Sequence, residues 1–367
     1  MAFEVDFLPV GEGKKNGDAI AVRYGSPGAY KILVYDGGTQ EAGKNLVAHV
    51  KKYYGTTYVD DVVNSHPDMD HASGLSVVLE ELTIGTLWMH RPWNHSHLIL
   101  NYFRDGRITN SSLKERLQNK MGAAYALEKL ALSKGITIAE PFQGMKIGDF
   151  FVLSPDKDWY IHDLIADFEK SPEARAIKTT RLDTKVGIFA ALTEAAVKAV
   201  EWISERWDQE FLREDIETSA ENESSVVLYG YFEDQKAGVL LTGDAGILAL
   251  RKSGEYLLTH NVDPSKHLRF IQIPHHGGRH NVSTSVLDLL LGPKLAAPLE
   301  KKVKFAFVSA SPGAEYPRQM VANAFDKRGF GVIATKGRTV HWSLGISERD
   351  GWSAVESIPY SSKVEKW

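Results

Sequence analysis

Between Ser65 and His71 the chain reads Ser-His-Pro-Asp-Met-Asp-His, which places four potential metal ligands, His66, Asp68, Asp70 and His71, within six residues. Imidazole and carboxylate are the side chains that hold a catalytic divalent metal while leaving it open positions. Spaced at i, i+2, i+4 and i+5, the four meet at one point in neither a regular helix nor a regular strand. The run therefore reads as a tight loop leaving the apolar stretch Val62-Val63 and wrapped around an ion or an ion pair. A plainer alternative has Asp70 capping a helix that begins near Ala72-Ser73, which accounts for one of the four residues.

Two further strand ends carry groups of the same kind: Asp244 in Thr242-Gly243-Asp244-Ala245, and the pair His275-His276 in Pro274-His275-His276-Gly277-Gly278. Taken singly, each is also a common turn or cap sequence. Together with the His66 loop they describe a dinuclear site, because layered α/β folds build their sites from loops at strand ends. The chain has no cysteine, which excludes disulfides, thiolate ligands and cysteine nucleophiles. Any metal site is then hard and oxygen-rich.

The elements that must position these groups alternate along the chain. Strand patterns cover Phe3 to Leu8, Ala19 to Tyr24 and Ile32 to Tyr35, the last ending in Asp36-Gly37-Gly38. A helix from about Ala42 to Tyr54 follows, then the strand Tyr58 to Asn64 that delivers His66. This β-β-β-α-β order is that of a layered α/β fold. Helices at Gly74 to Leu82 and around Ser111 to Gly135 flank a strand at Thr86 to His90, and strand character returns at Phe150 to Leu153. Residues 156–218 interrupt the pattern and read as a mostly helical insertion. Its clearest part, Ile188 to Leu212, sets Phe189, Leu192, Val200, Ile203, Trp207 and Phe211 close to one stripe, suited to core packing or a homodimer contact. Strands at Ser225 to Phe232, Gly238 to Leu241, Leu268 to Ile273, Phe305 to Ser309 and Gly331 to Ala334, with helices between them, complete a single domain over 1–367.

With 367 residues and 43% apolar side chains the chain can build a substantial core. Its start alternates as a strand and has neither the basic segment nor the apolar core of a signal peptide, so a cytoplasmic protein is expected. No apolar run approaches the roughly 18 residues that cross a bilayer, and no membrane partner is expected. The net charge of −4 argues against tight, non-specific binding of long duplex DNA through a whole basic face.

The chain resembles the metallo-β-lactamase-fold hydrolases, and among them is most similar to the soluble nuclease-like domain of the ComEC competence proteins. The resemblance rests on six ordered motifs: Val10-Gly11-Glu12-Gly13 with Gly17-Asp18-Ala19-Ile20, Asp36-Gly37-Gly38, His66 to His71, Asn222 to Leu228, Leu241 to Ala245, and Pro274 to Gly278. It implies a four-layer αβ/βα sandwich with two divalent metal ions at the edge of its sheets. His66, Asp68 and Asp244 would hold one ion. Asp70, His71, Asp244 and a histidine of the pair would hold the other, with Asp244 as the bridge. His275 is preferred as that last ligand, leaving His276 to touch substrate, although the two can be exchanged. The chain departs from the broader superfamily where Asp68 stands for the usual second histidine, and where no histidine is evident between Pro155 and Ser225, a place held roughly by Asn222. A site poor in nitrogen ligands favours manganese, or magnesium, over zinc.

The resemblance implies a metal-dependent phosphodiesterase or nuclease acting on single-stranded DNA, an oligonucleotide or a nucleotide-derived signal through a metal-bridged hydroxide, with Asp70 orienting the water and His276 or water protonating the leaving oxygen. Lys14, Lys15, Arg91, Arg279 and Lys336 are candidates for holding a flanking phosphate. Asp36 is a candidate for orienting a ligand histidine. His90, His95 and His97 could stand in for the missing histidine or form a rim, and His280, Asn281 and Ser283 could bind phosphate or cap the next helix. Trp88, Trp93, Trp159 and Trp342 could stack bases. The alternatives are a hydrolase of small carboxylic, sulfuric or phosphoric esters, and a non-catalytic metal-binding or regulatory module.

Overall fold

The computed structural model describes residues 1–11, 17–103, 107–168 and 201–367. Lys14, Lys15 and the expected helical stretch from Ile188 to Val200 lie outside them.

The strands, in chain order, are β1 (Ala2–Phe7), β2 (Ala19–Ser26), β3 (Ala29–Gly37), β4 (Tyr58–Val63), β5 (Thr83–Trp88), β6 (Thr137–Ala139), β7 (Lys146–Ile147), β8 (Phe150–Ser154), β9 (Trp202–Ser204), β10 (Val227–Phe232), β11 (Ala237–Leu241), β12 (Leu268–Gln272), β13 (Lys304–Val308), β14 (Phe330–Ala334), β15 (Val340–Leu344) and β16 (Lys363–Glu365). They form two seven-stranded sheets, β15-β1-β2-β3-β4-β5-β6 and β14-β13-β12-β11-β10-β8-β7, with β16 and β9 as a separate pair. In the first sheet β3 to β6 run parallel, and in the second β11 to β14 do. Parallel neighbours send their carboxyl ends to one edge, so each sheet offers loops there for a site.

Period-two alternation explains how the layers assemble. Phe3, Val5 and Phe7 of β1 join Ile20, Val22 and Tyr24 of β2 in the space between the sheets, where they meet Phe150, Phe232, Phe270 and Phe307 of the second sheet. Phe3 lies 4.5 Å from Phe232, and Phe7 lies edge-on to Phe307 at 5.6 Å between ring centroids. The other face of the first sheet, with Ala19, Ala21, Ile32, Val34 and Val62, is covered by Leu46 and Val47 of the helix Gln40–His49 and by Leu75 and Val78 of the helix Met69–Glu81. Helices Ile247–Thr259, Thr284–Leu291 and Gln319–Asp326 cover the second sheet. The result is the αβ/βα sandwich that the motifs imply. Gly74 lets the helix Met69–Glu81 lie directly on β3, since a Cβ there would come within 1.9 Å of the Gly37 carbonyl oxygen.

Two features differ from expectation. Within 201–219 only the short strand β9, which pairs with β16, and turns are present, so the helix expected to reach Leu212 does not extend over those residues. The apolar positions Ile203 and Phe211 pack on the core from extended and irregular backbone instead. The start of the 156–218 stretch is helical, at Lys157–Asp167. Strand β15 was not expected; it closes the first sheet by pairing with β1, Val5 opposite Trp342. Among the described residues no helix is long and apolar enough to cross a membrane.

The same alternation that buries Phe3, Val5 and Phe7 turns Glu4 and Asp6 to the opposite face, where both are fully buried. Arg349 spans them, with Nη1 and Nη2 donating to Asp6 at 2.7 and 2.8 Å and Nη2 to Glu4 at 2.8 Å. His341 and His49 approach Asp6 at 3.0 and 3.1 Å, and the Tyr54 hydroxyl donates to it at 2.7 Å. Burial alone would raise the Asp6 pKa, but His341, His49 and Arg349 hold it well below the ordinary value. Glu4, Asp6 and His341 thus form an ion-pair cluster that ties the segment after β15 to the first sheet. A depressed carboxylate stabilises the fold above its unfolded pKa of about 3.9, and that contribution disappears as pH falls through the folded value. Arg349→Met strips one partner from buried acids, with an expected cost of about 3–5 kcal/mol, and raises the Asp6 pKa. Its acid unfolding, followed by tryptophan fluorescence, should begin at higher pH than the wild type; an unchanged acid midpoint would remove this role.

Candidate metal centre

The loops at the carboxyl ends of β3, β4, β11, β12 and β13 meet at one edge of the seam between the sheets. Two bonds fasten the sheets there: the Tyr35 hydroxyl donates to the Val226 carbonyl at 2.6 Å, and the Val226 N–H to the Ser65 carbonyl at 3.0 Å. The 65–71 run is divided between two kinds of structure. Ser65 to Asp68 form a loop, and the helix begins at Met69 with Asp68 as its N-cap residue. Asp70 and His71 therefore sit in the first helical turn, and the helix starts two residues earlier than a cap at Asp70 would place it. A loop followed by a helix start brings together spacings that neither element accommodates alone.

Four imidazoles face this seam, and each has its Nδ1 committed to a partner. His71 Nδ1 donates to Asp36 Oδ2 at 2.8 Å. Ser65 Oγ donates to the same carboxylate at 2.5 Å and lies 2.9 Å from His66 Nδ1, whose proton it accepts. His276 Nδ1 donates to the Ser309 carbonyl at 3.0 Å. His275 Nδ1 lies 2.8 Å from Asn281 Oδ1, and the amide of Asn281 is oriented by its own donation to the Asp244 carbonyl at 2.8 Å. Acceptors at every Nδ1 orient the rings so that each Nε2 faces inward, where that of His276 accepts the Gly17 N–H at 3.3 Å.

Those Nε2 atoms converge on Asp244. Its Oδ2 lies 3.5 Å from His71 Nε2, 3.8 Å from His66 Nε2 and 3.8 Å from His275 Nε2. Asp68 Oδ2 lies 3.8 Å from His66 Nε2. His66 Nε2, His71 Nε2 and Asp244 Oδ1 are buried with no hydrogen-bond partner. Ligand-type atoms of Asp70, His71 and His276 form one close group, and those of Asp244, His275 and His276 another. Of the double histidine, preferred from the sequence with His275 beside Asp70 and His71, it is His276 that groups with those two residues, while His276 and His275 both group with Asp244. Consecutive left-handed backbone at His275 (φ 47°) and His276 (φ 57°) turns the two rings apart, at 62° to each other. Such conformations cost about 1–3 kcal/mol each in non-glycine residues and persist where the surroundings enforce them.

The field at this point is strongly negative. Burial would raise the Asp244 pKa, yet His71 and His275 hold it well below the ordinary value, so it is a carboxylate. Burial also acts to lower His71, but Asp244 and Asp36 on either side of it override that effect and hold it well above the usual imidazole range. Burial and the neighbouring His71 lower His66, and burial lowers His276 to about 4, leaving both neutral. Asp18, fully buried behind His71, is pushed to about 7 by burial, with the charges of Asp244 and Asp36 adding to the effect. Neutral imidazoles with inward lone pairs, unpartnered buried oxygens and nitrogens, and surplus negative charge are what a divalent cation requires, so the residues present fit one.

Asp18 belongs to the quoted Gly17-Asp18 motif but had no role assigned from the sequence. Gln272 Nε2 donates to Asp18 at 2.7 Å, and Gln272 Oε1 accepts the N–H groups of Thr242 and Gly243 at 2.9 and 3.0 Å, fixing the turn that presents Asp244. A glutamine inside the apolar strand Phe270-Ile271-Gln272-Ile273 was the available sign, because a buried amide must be paired. Asn222 does lie at the site, its amide 3.4 Å from His275 Nδ1 and donating to Thr218 at 3.1 Å.

Other candidates go elsewhere. His90 is buried against Phe142 and Tyr160 and is held neutral by burial, at a pKa of about 3. His95 pairs with Glu140, and His97 is exposed. Arg91 reaches Glu128, and Lys336 donates to the Ala314 carbonyl. Ser283 caps the helix Thr284–Leu291. Trp342 stacks on Phe270 in the core, Trp93 is buried on Glu128, Trp88 bonds Asp61, and Trp159 is buried, so none of the four supplies a base-stacking platform.

No protein-family profile matches the chain, and no curated protein matches it. Among solved structures the chain is similar to a diphosphatase of the PhnP family, at 9% identity with 94% of this chain and 98% of that one covered and a TM-score of 0.40. It is similar to the metallo-β-lactamase fold protein YhfI from Bacillus subtilis at 10% identity, with 94% and 100% covered and a TM-score of 0.42. A metallo-β-lactamase from Hirschia baltica gives 10%, 80% and 95% covered, and 0.34. These are likenesses of general architecture, and the roles of individual residues rest on the site itself.

Asp36 bonds His71 directly and His66 through Ser65, so it orients half of the inward-facing nitrogens. Asp36→Asn should weaken divalent-metal affinity about 10–100-fold, measured by competition with a chromogenic chelator on protein whose fold is checked by circular dichroism. Unaltered affinity in a folded variant would show that Asp36 does not orient ligands.

Proposed function

We propose that this protein is a metal-dependent hydrolase of phosphodiesters. The observation that carries the reading is the convergence of committed-tautomer imidazoles on Asp244, with the inward atoms of His66, His71 and Asp244 buried and unpartnered. His66, Asp68, His275 and Asp244 would hold one divalent ion, and Asp70, His71, His276 and Asp244 the other. Ions bound there supply Lewis acidity, making water more acidic and offsetting charge on a phosphoryl oxygen.

The chain's own residues do the rest. Asp36, Ser65, Asn281 and the Ser309 carbonyl hold the rings in their binding orientation. Asp70, part-exposed in the first turn of its helix, accepts a hydrogen bond from the attacking water and orients it. His276 presents a lone pair inward rather than a proton, so the leaving oxygen is protonated from solvent. The donor set joins four imidazoles to three carboxylates, and the buried acids Asp18 and Asp36 behind it add negative charge that favours a hard ion such as manganese, which suits phosphoryl oxygens. This supports phosphodiesters over neutral carboxylic esters, and the motif resemblance supports single-stranded DNA, oligonucleotides or a nucleotide-derived signal as substrates.

The test is hydrolysis of bis-p-nitrophenyl phosphate and of a labelled single-stranded oligonucleotide by metal-stripped protein reloaded with manganese, magnesium or zinc. Metal-dependent cleavage of both is expected, faster with manganese than with zinc. Asp70→Asn and His71→Ala should lose at least about 10²-fold in rate while keeping the circular dichroism spectrum of the wild type. Metal-loaded protein that cleaves neither probe would overturn the reading, and full activity in either variant would overturn the roles of those residues.

A further inference from the structure

The turn that carries the two site imidazoles also carries a cation. Gly277, at φ +81°, packs its backbone onto Pro317, where a Cβ would lie 2.4 Å from that ring, and its carbonyl accepts the Arg318 N–H at 3.1 Å. Arg279 and Arg318 are therefore both anchored to the turn of His276. The Arg279 guanidinium lies 4.6 Å from the centre of the Trp367 ring, and its Nη1 donates to the Lys366 carbonyl at 2.7 Å. That segment is itself held down: Val364 pairs with Ile203, and the Glu365 carboxylate accepts the Gln319 and Met320 N–H groups at 2.8 and 3.3 Å. Arg318 lies over Tyr316 at 5.3 Å, and Tyr316 lies 6.4 Å from His276.

Charge is unbalanced in this patch. Arg213 is matched by Asp215 at 2.8 Å and Arg318 by Glu315 at 2.7 Å. Arg279, half-buried, has as its contacts an aromatic face and a carbonyl, and among the described residues no carboxylate forms an ion pair with it. Glu365 contributes attraction from further away but is engaged at the helix start. Burial and the Arg318 guanidinium lower the Arg279 pKa, and burial and Arg279 lower that of His280. A half-buried cation beside other cations and without an ion-pair partner of its own is stabilised by an incoming anion.

We propose that Arg279 is an anion subsite beside the metal centre, taking a second phosphate of the substrate, so that the preferred substrate is a phosphodiester that also bears a terminal phosphate. This rests on the phosphodiesterase reading. Trp367 positions Arg279. Its ring is covered by Arg279 and by Arg213 at 5.5 Å, so it is engaged with cations rather than open to a base. The subsite selects for charge, not for base identity.

Two matched probes test this: thymidine 5′-(p-nitrophenyl phosphate), and the same compound with a 3′-phosphate. The wild type should prefer the phosphate-bearing probe in kcat/KM, and Arg279→Gln should reduce that preference by about tenfold, the size of one charge-assisted hydrogen bond. Trp367→Ala should reduce it as well. A preference that survives Arg279→Gln, or is absent from the wild type, would overturn the subsite. Binding of inorganic phosphate to metal-free protein, measured by calorimetry, separates the two ideas. Should neither probe be cleaved, the phosphodiesterase reading fails. Phosphate binding lost in Arg279→Gln would then still support the subsite, and binding equal in both proteins would overturn it.

Discussion

A carboxylate sealed from water must be answered by protein donors, and Asp36 is answered three times. The Ser65 N–H donates to it at 2.7 Å, the Ser65 hydroxyl at 2.5 Å and His71 Nδ1 at 2.8 Å. Those bonds join the end of β3 to the end of β4 and to the first turn of the helix Met69–Glu81. They also hold Asp36 in left-handed backbone at φ 57°, a conformation that a residue with a side chain adopts only under such constraint. Once Asp36 is in place, the ring directions of His66 and His71 follow, and with them the inward aim of two Nε2 atoms.

The second sheet completes the arrangement by the same logic. Asn281 and the Ser309 carbonyl orient His275 and His276, and Gln272 joins the Asp244 turn to Asp18 across the seam. Asp18, Asp36 and Asp244 are thereby crowded around His71 at a depth where their mutual repulsion is poorly screened. The N-terminus of the helix Met69–Glu81 points its positive end into the same region and offsets part of that repulsion. A dication would provide the remainder, and the donor set and the charge distribution agree on that kind of ligand.

Much of this was legible in one dimension. Strand alternation identified the principal strands, and the residues of the His66 run, Asp244 and the double histidine do meet at one place. What was misread depended on contacts between distant segments. Ile203 and Phe211 fall near a helical stripe, yet β9 pairs with β16 and the backbone there is not helical. The alternation from Val340 to Leu344 was present but unpaired in sequence, since its partner is β1 at the opposite end of the chain. Gln272 and Ser309 gained their roles only because strands far apart in the chain end side by side.

The amino-acid sequence by itself determined the inventory: hard, cysteine-free ligands clustered at the ends of apolar strands, in an order compatible with two layered sheets. Residue type and local periodicity are short-range properties, and they suffice for that. Tertiary structure alone decided which nitrogen of each imidazole faces inward, which histidine of the pair joins Asp70, and that Arg279 stands without a matching carboxylate among the described residues. Each of these is set by a hydrogen bond or an ion pair to a residue brought near by folding, and no local pattern encodes which distant group will be the partner.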